Sequence, residues 1–145
     1  MNKDVKLTIT GIHGKGKDKS VVSTECPGMY FEKNGKIFLK YNEKDADTGS
    51  ERKSTVKIDD KVVTVEHKGA TDSTMIFELG ETTRSMYVTS MGSMLIEIKT
   101  LSLEIEQRET KIVIDIDYRM SFGEGNPEPA HIHIEAVILT TRLLS

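Results

Sequence analysis

Apolar and polar residues alternate along several segments of this chain, with the period of two that a β-strand with one wet face produces. In the first such segment Val5 and Leu7 share a face, while Lys6 and Thr8 share the other. We found no stretch of ten residues in which a helical spacing of apolar positions outcompetes this alternation. Two later strands have almost wholly apolar inward faces, formed by Ile112, Ile114, Ile116, Tyr118, Met120 and Phe122, and by Ile132, Ile134, Ala136 and Ile138.

Residues 28–43 predict a two-stranded hairpin with its turn at Asn34 and Gly35. A tight type I′ turn needs positive φ angles at both central positions, which Asn tolerates and Gly adopts freely. Shorter turn signals at residues 59–61 and 80–81 predict two further hairpins, and residues 107–109 predict a turn.

Three other segments interrupt the strand pattern. Cys26-Pro27-Gly28 predicts a break in a strand, because proline donates no ladder hydrogen bond. Residues 42–53 are polar and rich in turn formers, and residues 123–130 resemble them, so both predict loops. Within residues 94–105 the apolar positions change parity, which predicts a bulge or bend near residues 99–100.

These elements predict an all-β fold: a closed or nearly closed antiparallel up-and-down β-barrel of about 9–10 strands. Consecutive hairpins with short turns favour a meander. The chain has 14 isoleucines and 10 valines but only 4 alanines, a composition suited to strands. With 145 residues, the chain is most simply a single domain over residues 1–145.

The net charge and the cysteine content argue against two classes of protein, nucleic-acid-binding proteins and disulfide-bonded secreted proteins. The formal net charge is -3, so the basic footprint of a nucleic-acid-binding protein is absent. Cys26 is the only cysteine, which gives no support for a disulfide-bonded, secreted protein. The N-terminus has no signal-peptide pattern and the sequence has no long apolar run, so we expect a cytoplasmic protein without a membrane anchor. The oligomeric state stays open.

Four stretches together resemble a known family. They are GMYFEKNGKIFLKYNE (residues 28–43), MIFELG (75–80), YVTSMGSMLIEIKT (87–100) and IVIDIDYRM (112–120). In these stretches the chain resembles the YwiB-like family of small bacterial proteins of unknown function. The resemblance implies a calycin-like barrel, related to lipocalins and fatty-acid-binding proteins, and it implies no catalytic residue.

Two histidines, His131 and His133, lie two residues apart on the last strand and so share a face, a spacing used by some metal sites. Their apolar neighbours predict that both point to solvent. A third ligand from Glu135, Asp115, Asp117, His67 or His13 would need a favourable register, so the sequence predicts no bound metal and no cofactor. Asp115 and Asp117 are expected to be a solvated acidic stripe.

The glycine-rich segment near residues 11–17 lacks the Gly-Lys-Ser/Thr ending of a phosphate loop and precedes no helix. We expect a turn, with weak anion contact through Lys15, Lys17 and Lys19 as a minor hypothesis. Cys26 has no basic neighbour in sequence that would activate its thiol.

The predicted barrel interior is the remaining candidate site. A barrel of this size either just fills with side chains or holds one small ligand. We therefore predict a non-enzymatic protein that binds a small, largely apolar ligand in the interior or mouth. The alternative is a filled barrel whose outer face or basic rim contacts a protein or RNA partner. The candidate ligand-binding residues are Tyr41, Met75, Phe77, Tyr87, Tyr118, Met120 and Phe122.

Overall fold

The computed structural model describes residues 2–14, 16–44, 49–69 and 71–139. Ten antiparallel strands form one closed barrel, as the alternation predicts, and a single turn of 3-10 helix spans Gly16–Asp18. The strands are β1 (Lys3–His13), β2 (Ser20–Lys33), β3 (Lys36–Lys44), β4 (Glu51–Asp59), β5 (Val62–Lys68), β6 (Asp72–Glu78), β7 (Thr82–Thr89), β8 (Gly92–Gln107), β9 (Lys111–Phe122) and β10 (Glu128–Ile138).

Each strand pairs with its neighbours in sequence, and β1 pairs with β10 to close the ring. In such a meander successive connections lie at alternate ends of the barrel. The connections after β1, β3, β5, β7 and β9 therefore meet at one end, which we call the open end. The turns after β2, β4, β6 and β8 meet at the other, which we call the closed end.

The hairpin of β2 and β3 has the predicted turn. Asn34 and Gly35 have φ angles of 54° and 77°, as a type I′ turn requires. Tyr30 points into the barrel and is buried. Phe31 stacks on Phe38 across the two strands, with ring centroids 4.9 Å apart, which places this pair on the outer face.

The change of parity in β8 is a β-bulge within one continuous strand. The register with β9 shifts between Thr100 and Ser102, next to the predicted position. Before the bulge Ile96 and Ile98 face the interior, and after it Leu103 and Ile105 pack against the same core. The extra residue lets one long strand keep both apolar sets inside.

Two predicted interruptions are wrong. β2 runs without a break through Cys26, Pro27 and Gly28. Its ladder with β1 continues through these residues, with Pro27 opposite Lys6, and its ladder with β3 begins only at Gly28, so the proline interrupts no pairing with β3. The predicted loop over residues 42–53 is largely strand, because β3 extends to Lys44 and β4 begins at Glu51; residues 45–48 lie outside the described residues. The loop predicted to end at Ala130 also ends earlier, since β10 begins at Glu128.

The contact between β6 and β7 is the thinnest part of the ladder network. Only Asp72–Val88 and Ser73–Tyr87 form ladder pairs there. Farther along, side chains replace backbone pairing: the Thr83 hydroxyl donates to the carbonyl of Ile76 (2.6 Å), and the Ser85 hydroxyl donates to that of Thr74. The turn at Gly80 instead hydrogen-bonds β8 at Thr100. We call this contact the β6–β7 seam.

The hydrophobic core is densest toward the closed end. Its fully buried members come from nearly every strand, so the core ties the ring together. They include Val5, Leu7, Leu39, Val56, Val63, Phe77, Ile98, Ile114, Ile116 and Ala136.

Candidate functional site

A cavity of about 800 Å³ occupies the half of the barrel toward the open end. Six of the seven candidate ligand-binding residues line it, namely Tyr41, Met75, Tyr87, Tyr118, Met120 and Phe122. At the mouth Tyr87 and Phe122 meet edge to face, with ring centroids 6.0 Å apart. The strands thus bring together an apolar wall with several aromatic rings.

Phe77, the seventh candidate, lies elsewhere. Its side chain is fully buried in the packed core and meets Tyr118 edge to face at 4.9 Å. Tyr118 also lines the cavity, so it forms part of the floor between the packed half and the cavity. Phe77 therefore supports the site from beneath and does not line it.

A cluster of polar side chains forms one wall of the cavity, on β3, β4 and β5. Cross-strand pairing creates it, because Glu43 lies opposite Arg52, and Ser54 lies between Tyr41 and His67. The Arg52 Nη2 atom is 3.0 Å from Glu43 Oε1, and the Ser54 hydroxyl donates to the same oxygen over 3.2 Å. Ser54 Oγ is also 2.7 Å from His67 Nδ1. Tyr41, Glu43, Arg52 and His67 line the cavity, whereas Ser54 is buried behind them. We call these five residues the polar wall.

Burial sets the ionisation of two members of the polar wall. Loss of solvent, reinforced by the Arg52 charge and opposed by Glu43, lowers the pKa of His67 to about 4. The imidazole is therefore neutral at physiological pH. Burial, with help from the nearby Glu43 carboxylate, raises the pKa of the Tyr41 hydroxyl well above its usual value, so this group stays protonated.

The polar wall is not arranged as a hydrolytic triad. A triad needs its serine on one nitrogen of the histidine and its acid on the other. Here Ser54 Oγ and Glu43 Oε1 approach the same atom, His67 Nδ1, at 2.7 and 3.8 Å. Ser54 is also only 2 % exposed. The arrangement is suited to hydrogen bonding with a ligand.

Sequence reasoning missed Glu43, Arg52 and Ser54. The signal was the strand parity, which continues past the apolar residues: β3 carries Ile37, Leu39 and Tyr41 inward, and the next inward position is Glu43. Because residues 42–53 were predicted to be a loop, the predicted strand ended before Glu43, and its inward position was not recognised. A charged residue at an inward position near the end of an apolar strand would have indicated a site at the barrel mouth.

His131 and His133 lie on the outer face, as predicted, and hydrogen-bond to acidic residues of β9. His131 Nδ1 is 2.6 Å from Asp117 Oδ1 and its Nε2 is 3.2 Å from Asp115 Oδ1, while His133 Nδ1 is 2.7 Å from Asp115 Oδ1. Burial opposes protonation of His131, but the two carboxylates outweigh it and raise its pKa. These four residues form a hydrogen-bonded polar cluster on the surface.

The other proposed metal ligands do not join this surface cluster. His67 and His13 line the cavity inside the barrel, and Glu135 pairs with Lys111 at 3.1 Å. Over the described ranges, no group of three or more histidine, cysteine or acidic side chains is placed to hold a metal ion.

The lysines proposed for anion contact do not form a phosphate loop. Lys17 and Lys19 are exposed, and the segment leads directly into strand β2. Lys15 lies outside the described residues. Cys26 points inward and packs against the core, and burial together with Glu43 raises the pKa of its thiol. A raised pKa lowers the reactivity of a cysteine.

A groove on the outer face of β3, β4 and β5 carries three exposed lysines, Lys40, Lys53 and Lys68. Lys53 and Lys68 lie directly opposite each other in the ladder. Like charges in such a position repel, and the three lysines outnumber Glu66, the acidic residue that also lines the groove, so the groove favours a negatively charged contact.

None of the described segments contains a helix long and apolar enough to cross a membrane.

The fold and cavity define the protein as a ten-stranded antiparallel β-barrel with an interior site that opens at one end. The sequence model of a domain of unknown function, DUF1934, matches residues 7–134, so the chain belongs to this family. This confirms the family resemblance found in the sequence.

One related sequence and one solved structure are similar to this chain over most of its length. The uncharacterized β-barrel protein YwiB of Bacillus subtilis (strain 168) is 30% identical over 129 residues, which are 89% of this chain and 87% of YwiB. The crystal structure of the ywiB protein from Bacillus subtilis matches with a TM-score of 0.83 and 24% identity, covering 96% of this chain and 94% of that one. The structural likeness shows the fold.

Proposed function

We propose that this protein is a non-enzymatic, calycin-like binding protein that holds a small, largely apolar ligand in the barrel cavity. The observation that carries the proposal is the cavity itself, whose volume of about 800 Å³ lies within the range of small-molecule sites. Apolar residues such as Ile9, Val65 and Met120 make up much of its lining, and burial of apolar ligand surface against them would drive binding. Cys26, as the single cysteine, fits a reducing compartment, and we propose a cytoplasmic location.

The cavity also has the few polar groups that orient a ligand. Tyr41, Ser73 and His67, each with a hydrogen-bonding group, line it among apolar neighbours. Such a lining, apolar with a small number of placed hydrogen-bonding groups, is typical of ligand pockets. The packed core beneath supplies a rigid floor for them.

Gly11 offers a direct test. It lines the cavity, and a Cβ added there would meet no atom within 4 Å, so a larger side chain has room to enter the cavity. We expect Gly11→Phe to fold as well as the natural chain and to fill part of the cavity. Titration with the uncharged fluorophore N-phenyl-1-naphthylamine should show binding to the natural protein and at least about tenfold weaker binding to the variant.

The matched control is Thr10→Phe, which adds the same ring on the outer face one residue away. Its register partners, Ser23 and His133, lie on that face. Fluorophore affinity should be unchanged in this variant. The proposal fails if the natural protein binds no fluorophore, or if both variants weaken binding equally.

The lysine groove on the outer face favours a second candidate function, contact with an acidic protein or RNA partner. Lys53→Glu with Lys68→Glu should then abolish recovery of partners from host extract at low salt, where such contacts are strongest. Recovery of nothing above background by the natural protein would exclude this candidate.

A further inference from the structure

The only lysine or arginine among the described residues that line the cavity is Arg52. Its guanidinium is already paired with Glu43 at 3.0 Å, and the Glu43 side chain is only 16 % exposed. A second carboxylate, Glu128, stands at the mouth. Counting Arg52 against Glu43 and Glu128, with His67 neutral, the described lining has no lysine or arginine left to neutralise an anionic ligand, and its other histidine, His13, lies away from the polar wall on β1.

A ligand with a charged head group, whether a carboxylate or an ammonium group, would bind unfavourably at the polar wall. A carboxylate next to Arg52 would also lie next to Glu43, so it would either repel Glu43 or displace it from its hydrogen bonds with Arg52 and Ser54. An ammonium group next to Glu43 would lie beside Arg52. Because charges are weakly screened in a partly buried site, either placement is unfavourable.

An uncharged head group that can both donate and accept hydrogen bonds meets no such obstacle. His67 uses Nδ1 toward Ser54, and its Nε2 has no hydrogen bond with the described residues. Depending on the tautomer, Nε2 either donates or accepts, and a hydroxyl or amide can match either state. The guanidinium of Arg52 has five N–H donors, more than the contact with Glu43 uses.

We infer that the ligand is an uncharged amphiphile, with its apolar part in the cavity and a hydroxyl or amide head against the polar wall, where Tyr41, Glu43, Arg52 and His67 face the cavity and Ser54 supports them from behind. This inference rests on the proposed binding function and specifies its ligand class. The Glu43–Arg52 ion pair then acts as a selectivity element, because each charge cancels the attraction that the other would have for a charged head.

Three compounds with the same chain test the inference: 1-decanol, decanoate and decylammonium, each displacing N-phenyl-1-naphthylamine at pH 7.5. In the natural protein 1-decanol should displace the fluorophore at a concentration at least about tenfold lower than either charged compound. Decanoate or decylammonium binding as tightly as 1-decanol would overturn the inference.

Two variants weaken the selectivity for the uncharged compound, each in favour of a different charged compound. Glu43→Gln keeps the size of the side chain and one acceptor oxygen but leaves the Arg52 charge unpaired, so decanoate affinity should rise about tenfold. Arg52→Gln leaves Glu43 unpaired, so decylammonium affinity should rise instead. Circular dichroism shows whether each variant is folded. If one variant does not fold, the other still tests the inference.

The matched control is Glu97→Gln, which breaks an ion pair of similar geometry outside the cavity, with Arg84 Nε 2.8 Å from Glu97 Oε2. It should leave the order of the three affinities unchanged. Unaltered selectivity in both Glu43→Gln and Arg52→Gln would overturn the inference while the binding function stands. Absence of binding by the fluorophore and all three compounds would overturn both.

Discussion

His67 shows how one buried side chain links the site to stability. Its pKa is about 4 in the folded protein, whereas an unfolded histidine has a pKa near 6.5. As pH falls below 6.5 the unfolded state takes up a proton that the folded state resists, so this residue lowers stability progressively between pH 6.5 and 4. We expect a loss of about 2 kcal/mol between pH 7 and pH 5 from His67, since one pKa unit corresponds to about 1.4 kcal/mol.

Urea unfolding at a series of pH values measures this contribution. His67→Gln should unfold with a shallower pH dependence than the natural protein over the same interval. His131→Gln is the control, because the pKa of His131 is raised and its contribution to stability is lost as pH rises. Equal slopes below pH 6.5 for the natural protein and His67→Gln would contradict the account.

At the scale of single elements, the sequence predicts those strands whose one-sided burial leaves a clear alternation. β1, β9 and β10 follow it along most of their length, and the parity change in β8 predicts its bulge. The errors fall where polar residues occupy inward positions, as Glu43 and Arg52 do at the ends of β3 and β4. There local polarity suggests a loop, while the neighbouring strands continue the ladder and decide the structure.

Pairing details that depend on contacts distant in sequence could not be predicted. The continuity of β2 at Pro27 depends on the ladder with β1 and on where the ladder with β3 begins. The site shows the same limit: its apolar members were predicted from parity, whereas the polar wall needs the registers of three strands together. The alternation shows which residues face inward, and only the assembled barrel shows which of them pack and which line a cavity.

A separate prediction at this scale concerns hydrogen exchange at the β6–β7 seam. Because side-chain hydroxyls replace most of the backbone pairing, we expect Thr83→Val with Ser85→Ala to loosen this contact. Amides of β6 and β7 should then exchange with solvent faster, while those of β9 and β10 keep their protection. Hydrogen exchange followed by mass spectrometry measures both, and uniform acceleration in all strands would contradict a local role for the two hydroxyls.

At the scale of the whole molecule, one half of the barrel is packed with side chains and the other half holds the cavity. Leu39 is fully buried in the packed half, with atoms around it on every side. Met120 lines the cavity, so part of its surface faces no close-packed neighbour. Truncation of the first should therefore cost stability, and truncation of the second should mainly change the site.

We expect Leu39→Ala to lower the free energy of unfolding by about 2–5 kcal/mol, as removal of a buried leucine does when its surroundings relax only in part. Met120→Ala should lose about 1 kcal/mol, since its side chain makes fewer contacts to lose. Urea unfolding gives both values, and N-phenyl-1-naphthylamine titration should change for Met120→Ala while folded Leu39→Ala keeps the natural affinity. Equal losses of stability in the two variants would mean that the open half is packed as tightly as the closed half, and the division of the barrel into a packed support and a binding chamber would be wrong.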